Sequence, residues 1–273
     1  MYKGFYGLRE KPFSKTPDPR FLYLSKVHEE ALARLQYAVE ERELALLTGG
    51  IGSGKTTISR ALMDSMGEEY RFCFIFNPIL APLEFLRILA RNLGMASPPL
   101  TKDDLLKELT EEVYRCHGKG IVPVIVIDEA QMIPGREVFD EIRLLTNFQL
   151  DDSNLISVIL MGQPELRERL AEPIYEPLRQ RIGIRYHLNP LNLEETLEYI
   201  DFRLNVAGGR PGIFLPDAVM RIFELSGGVP RRINTIATNA LLEGFARDAA
   251  AIDAAIIDAL RDELDEQECG DRP

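Results

Sequence analysis

A mainly parallel α/β domain followed by a small all-helical one is what this sequence predicts, on three observations. Short apolar runs alternate with amphipathic segments from Leu44 to Leu188. A glycine-rich run, GGIGSGKTT, stands between the first apolar run and the helix that follows it. After Asn189-Pro190 the strand pattern stops. Strands and helices in alternation bury best as a parallel sheet with helices on both faces.

The first 25 residues carry Tyr2, Phe5, Tyr6, Phe13, Phe21 and Tyr23 among Pro12, Pro17 and Pro19. Prolines at that density oppose a helix, so the expectation is an extended segment whose rings pin onto the core. From Val27 to about Arg42, Ala31, Leu32, Leu35, Ala38 and Val39 recur at helical spacing. Residues 26–188 form the expected core. Its strands are expected at 44–48, 70–77, 122–127, 155–161 and 182–188, and its helices at 55–66, 82–93, 101–116 and 137–148. Val122–Ile127 is β-branched almost throughout, as suits a strand buried on both faces. Residues 189–264 read as a helical lid, with helices at 193–206, 216–225, 231–247 and 253–264. Gly208-Gly209 and Gly227-Gly228 punctuate them. Residues 265–273 read as an acidic, solvated tail.

Composition narrows the function classes. At 273 residues and 45% hydrophobic, the chain supports one medium domain with a small satellite. Neither a secretory signal nor a run near the ~18 apolar residues of a membrane span is present, so the expectation is a soluble cytoplasmic chain. Cys73, Cys116 and Cys269 stand far apart, without the spacing of a disulfide framework or a zinc site. His28, His117 and His187 are as scattered. Net charge is −11. From Asp253 to Pro273 there are eight acidic residues and two arginines, a net of −6, which leaves −5 on the other 252. That balance argues against strong non-specific nucleic-acid binding while permitting a local basic groove.

Two motifs carry chemistry. The run from Gly49 to Thr57 matches G-x-x-x-x-G-K-[ST] and stands at a strand-to-helix junction. Glycines there let the backbone wrap a phosphate, and the helix start turns free N–H groups toward it. Gly49, Gly50, Ile51, Gly52, Ser53, Gly54, Lys55, Thr56 and Thr57 are the expected nucleotide-binding residues. Lys55 neutralises the β- and γ-phosphates, the Thr56 hydroxyl ligates Mg²⁺, and Thr57 lies near the α-phosphate. The second motif, VIVIDEAQ from Val124 to Gln131, ends a buried strand in two carboxylates. Asp128 is expected to hold Mg²⁺ through its water shell, and Glu129 to orient and polarise the attacking water of an ATP hydrolysis. Ser157–Gln163 (SVILMGQ) again ends a strand in a polar side chain, Gln163. Two arginine clusters could stabilise transition-state charge. One is Arg179 and Arg181; the other is Arg231 and Arg232, which follow Gly227-Gly228-Val229-Pro230.

Taken in order, MYKGFYGLREKPFSKTPDPRFLYLS, LTGGIGSGKTT, VIVIDEAQ, LMGQPELRERL, LRQRI and GVPRRIN resemble the general secretion pathway A-type (ExeA-like) AAA+ ATPases, from Met1 to about Ala246. Transposition ATPases of the MuB, TniB and TnsC kind and the Orc/Cdc6 branch share that core. The resemblance implies a P-loop (AAA+) core with a helical lid, ATP in the cleft between them, and assembly into homo-oligomeric rings or filaments. It implies that Gln163 is a γ-phosphate sensor and Arg231 a lid sensor, that Arg179 or Arg181 is a finger reaching a neighbouring subunit, and that residues around Phe21–His28 border the adenine. Secretion members typically continue into a membrane span and a periplasmic peptidoglycan-binding domain. Neither lies within these residues, so the expectation is a cytoplasmic fragment or stand-alone ATPase, at the inner membrane face through a partner if at all. The functional expectation is an oligomeric ATPase coupled to a protein partner in envelope secretion or export. The alternative is an ATP-dependent DNA-binding regulator that recruits a transposase.

Overall fold

The computed structural model describes residues 1–14, 18–150 and 153–261. The acidic tail expected at 265–273 lies outside them, as does the end of the last expected helix. In chain order the helices are α1 (Tyr2–Phe5), α2 (Lys26–Glu40), α3 (Lys55–Ser65), α4 (Pro82–Asn92), α5 (Lys102–Gly118) and α6 (Glu137–Leu145). They continue with α7 (Pro164–Ala171), α8 (Glu176–Arg179), α9 (Leu193–Val206), α10 (Pro216–Ser226), α11 (Pro230–Ala246) and α12 (Ala254–Ala259). The strands are β1 (Leu44–Gly49), β2 (Tyr70–Ile75), β3 (Val122–Ile127), β4 (Ser157–Gly162) and β5 (Ile182–Leu188). The chain divides into two compact units, His28–Ile51 with Lys55–Leu188, and Met1–Val27 with Gly52–Gly54 and Asn189–Pro273.

The first unit is an α/β domain on a five-stranded, wholly parallel sheet in the order β2-β3-β4-β1-β5. Every residue of β1, β3 and β4 is buried, which is why these runs read as continuous apolar stretches rather than alternating ones. One face of the sheet presents Cys73, Ile75, Ile125, Ile127, Val158 and Leu160 to a core shared with α4, α5 and α6. Burial pushes the Cys73 thiol up to about 12 and raises Cys116 as well, so these two behave as packing residues, not nucleophiles. Helix starts follow capping chemistry. The Thr101 hydroxyl accepts from the Asp104 N–H (3.3 Å) at the head of α5. β4 runs between β1 and β3, with Thr48 opposite Gly162 and Ile127 opposite Leu160. The C-terminal ends of all three strands therefore open at one edge.

The second unit is helical, and it holds the aromatic N-terminal segment. Tyr6, Phe13 and Phe21 are buried in the same core as Tyr199, Ile222 and Ile236. This corrects the expectation that residues 1–25 pack on the α/β core: apolar rings need a partner face, and they find it on α9–α11. The segment is also not wholly extended. Tyr2–Phe5 makes one helical turn, since its residues precede the first proline, Pro12. A buried cation ties the segment down. Arg203 of α9 donates to the Pro12 carbonyl (2.6 Å) and the Tyr199 hydroxyl (2.7 Å), with its guanidinium 5.3 Å from the Phe21 ring centre. A buried guanidinium is tolerated only when so partnered. The Tyr6 hydroxyl donates to the Ala249 carbonyl (3.0 Å), binding the segment to the turn that follows α11.

Between α10 and α11, Gly227 and Gly228 both take the left-handed conformation, φ 61° and 73°. At Gly228 a Cβ would lie 1.9 Å from the Leu191 carbonyl oxygen, so backbone approach as well as φ requires glycine. Gly228→Ala is expected to destabilise this unit by at least about 1–2 kcal/mol, the ordinary left-handed penalty before the clash. A thermal melt of the variant unchanged from wild type would contradict this.

Candidate nucleotide site

At the end of β1 the chain passes through Gly50–Gly54 into α3. Gly52 and Gly54 have φ of 78° and 102°, a curvature that L-side chains resist. Lys55 is the first residue of α3 and only 6% exposed. Its Nζ donates to the carbonyl oxygens of Gly49 (2.8 Å) and Gly50 (3.1 Å), which bends the lysine back along its own loop.

The next residue links the two motifs. Thr56 Oγ1 donates to Asp128 Oδ2 at 2.8 Å, across 72 positions of sequence. Asp128 is 5% exposed and its other oxygen accepts from the Glu129 N–H (2.9 Å). The fit to Mg²⁺ can be tested on that contact. A hydroxyl able to bind the ion, hydrogen-bonded to a carboxylate able to hold one of the ion's waters, would suit Mg²⁺, which usually keeps several waters. Among the described residues no cluster of three or more His, Cys, Asp or Glu side chains could hold a metal alone.

Glu129 and Gln163, the predicted base and sensor, meet: Gln163 Nε2 donates to Glu129 Oε2 at 3.3 Å. Between them lies Gln131, which the sequence reading passed over although it closes VIVIDEAQ. Its Nε2 donates to Glu129 Oε2 (2.5 Å) and its Oε1 accepts from the Gln163 N–H (3.1 Å). The predicted arginines are held elsewhere. Arg179 pairs with Glu176 on α8, and Arg181 donates to Asn147 Oδ1 (3.1 Å). Arg231 opens α11, and its N–H donates to the Gly52 carbonyl (3.4 Å), a contact inside the helical unit to which Gly52–Gly54 belong. Ser53 is buried, and Ile51 is exposed at 60%.

A second unanticipated pair underlies the loop. Thr48 Oγ1 and His187 Nδ1 are 2.9 Å apart on neighbouring strands. Desolvation first, then the positive charges of Arg167 and Lys55, lower the His187 pKa below 6.5.

Comparison with known proteins follows the same lines. Residues 38–170 match the AAA domain family. Over 259 residues the chain is 42% identical to general secretion pathway protein A of Aeromonas hydrophila, covering 92% of this chain and 46% of that protein. The chain thus spans just under half the length of that relative. Among solved structures, the ORC2 protein of Aeropyrum pernix in ADPNP and ADP complexes aligns at a TM-score of 0.66 and 18% identity, over 91% of this chain and 69% of that one. Drosophila ORC bound to DNA aligns at 0.66 and 15%, over 93% and 64%. These two likenesses show the fold.

The lowered pKa of His187 has a testable sign. A base whose folded pKa is depressed takes up its proton more readily when unfolded, so its stability is present above about 6.5 and lost as pH falls below it. Thermal melts from pH 8 to pH 5 should decline less steeply below about 6.5 for His187→Gln than for wild type; identical slopes would exclude the residue as a source of acid sensitivity.

Proposed function

This chain is an AAA+ protein of the general secretion pathway A type, and on that premise we propose that it binds ATP with Mg²⁺ at the Gly49–Thr57 loop and hydrolyses it. The observation that carries this reading is the direct contact of Thr56 with Asp128, which unites the phosphate loop and the acidic strand end in one place.

In this reading the loop amides and Lys55 receive the triphosphate, and Lys55 exchanges its two carbonyl partners for phosphate oxygens. Thr56 and Asp128 hold Mg²⁺, which when bound offsets charge on the β- and γ-phosphates. Glu129 orients and polarises the attacking water, and Gln163 at the end of β4 senses the γ-phosphate. Arg231 serves as the lid sensor. Arg179 or Arg181 completes the site of a neighbouring subunit in a homo-oligomeric ring or filament, and either arginine first has to leave its present partner, Glu176 or Asn147. The cycle drives a partner complex in cell-envelope secretion or export, the role that the name of the Aeromonas relative suggests. The expected location is the cytoplasm or the inner membrane face, and among the described residues no helix is long and apolar enough to cross a membrane.

A second reading, a DNA-binding transposition regulator, draws on the likeness to an ORC assembly bound to DNA. The net charge of −11 weighs against it.

Lys55→Ala is expected to weaken ATP binding by at least about 10- to 100-fold in a nucleotide titration, the loss of a charge-assisted contact. Glu129→Gln should keep binding and lose about 10²- to 10⁴-fold in kcat, and removal of Mg²⁺ by a chelator should stop turnover. A Glu129→Gln protein that hydrolyses like wild type would remove Glu129 from the mechanism. Electron microscopy with a slowly hydrolysed ATP analogue, with and without duplex DNA, separates the two roles. ATP-dependent rings or filaments that ignore DNA support the first reading, filaments that require DNA support the second, and monomers under both conditions defeat assembly.

A further inference from the structure

Glu129 sits in an uncommon backbone state. Its φ of 51° and ψ of 38° are left-handed, a conformation that costs a non-glycine residue energy and persists only where neighbours impose it. A carboxylate on such a residue projects where its neighbours hold it, so what holds it becomes a question of chemistry.

One side chain stands out. The Gln131 amide spans from the Glu129 carboxylate (2.5 Å) to the N–H of Gln163 (3.1 Å). A backbone N–H can only donate, so the amide oxygen must face Gln163 and the NH₂ must face the carboxylate. The end of β4 is shaped to admit it: a Cβ on Gly162 would lie 2.7 Å from Gln131 Oε1. The turn that carries Gln131 is itself fastened. Arg169 of α7 donates to the carbonyls of Gln131 (3.3 Å), Ile133 and Gly135 (3.2 Å). Its guanidinium lies 5.0 Å from the Phe139 ring centre.

We infer that Gln131 is a positioning residue that aims the Glu129 carboxylate, with Arg169 fixing the turn from which it acts. This deepens the hydrolytic reading above and rests on Glu129 being the group that polarises water. Gln131 and Gln163 donate to the same oxygen, Oε2 of Glu129, so Oε1 is the oxygen left to accept from water. When Gln163 turns to a γ-phosphate, the Gln131 amide keeps the carboxylate from following it.

The test compares Gln131→Ala, Gln131→Glu and Glu129→Gln in steady-state hydrolysis of Mg²⁺-ATP by the whole chain, with nucleotide affinity and thermal melts measured beside it. Gln131→Ala is expected to lose about 10- to 100-fold in kcat, the scale of a misplaced reacting group, with KM and nucleotide Kd within about twofold of wild type. Gln131→Glu keeps the shape and sets a carboxyl group against Glu129. It donates only while the pair shares a proton, so its kcat optimum should move to lower pH by about one unit or more. If Glu129→Gln is inactive while Gln131→Ala keeps kcat within about twofold of wild type, this inference fails and the hydrolytic reading stands. If Glu129→Gln is fully active, the reading beneath it fails. Should Gln131→Ala not fold, a wild-type pH profile for Gln131→Glu overturns the inference by itself.

Discussion

Parallel pairing of β3, β4 and β1 in aligned register is the constraint on which the rest of the site depends. With Thr48 level with Gly162 and Ile127 level with Leu160, three strands end at one edge. The residue after each end is then delivered to a common place without any loop having to reach. Parallel sheets generally concentrate ligand chemistry at the carboxyl ends of their strands, because helix starts and strand ends converge there. Here β4 is the spacer between the phosphate-loop strand and the acidic strand. Gln163 follows its end and reaches Glu129 at the end of the acidic strand.

Much of this was legible. β1, β3 and β4 could be read because strands buried on both faces are nearly unbroken apolar runs, and the phosphate loop because its glycines are needed for φ as well as for space. The helices of the second unit were marked by their helical spacing and the paired glycines that separate them. What escaped was whatever depends on tertiary partners. Helix α7, PELRERLA, is short and charged, and buries only Leu166 and Leu170, too little periodicity to announce itself. Arg169 within it looks like a surface residue until its carbonyl partners are in place. The rings of residues 1–25 declared that they would be buried; nothing in their pattern said against what.

The same distinction separates the two kinds of site residue. Lys55, Thr56 and Asp128 stand in motifs whose residue types and spacings the proposed ligand chemistry calls for. Gln131 meets Glu129 and Gln163, and Thr48 meets His187, by contact, and contact is a property of the fold. Motif reading therefore finds the groups proposed to bind a nucleotide and misses the neighbours packed against them.

The anchoring of the N-terminal segment has a consequence for biosynthesis. Arg203 and Pro12 are 191 positions apart, and Tyr6 and Ala249 are 243 apart. The rings of this segment find cover only after that many further residues have been made, a long-range closure that is intrinsically slow. Through that interval the nascent protein carries an uncovered aromatic strip, a natural target for chaperones and a source of aggregation when synthesis outruns them.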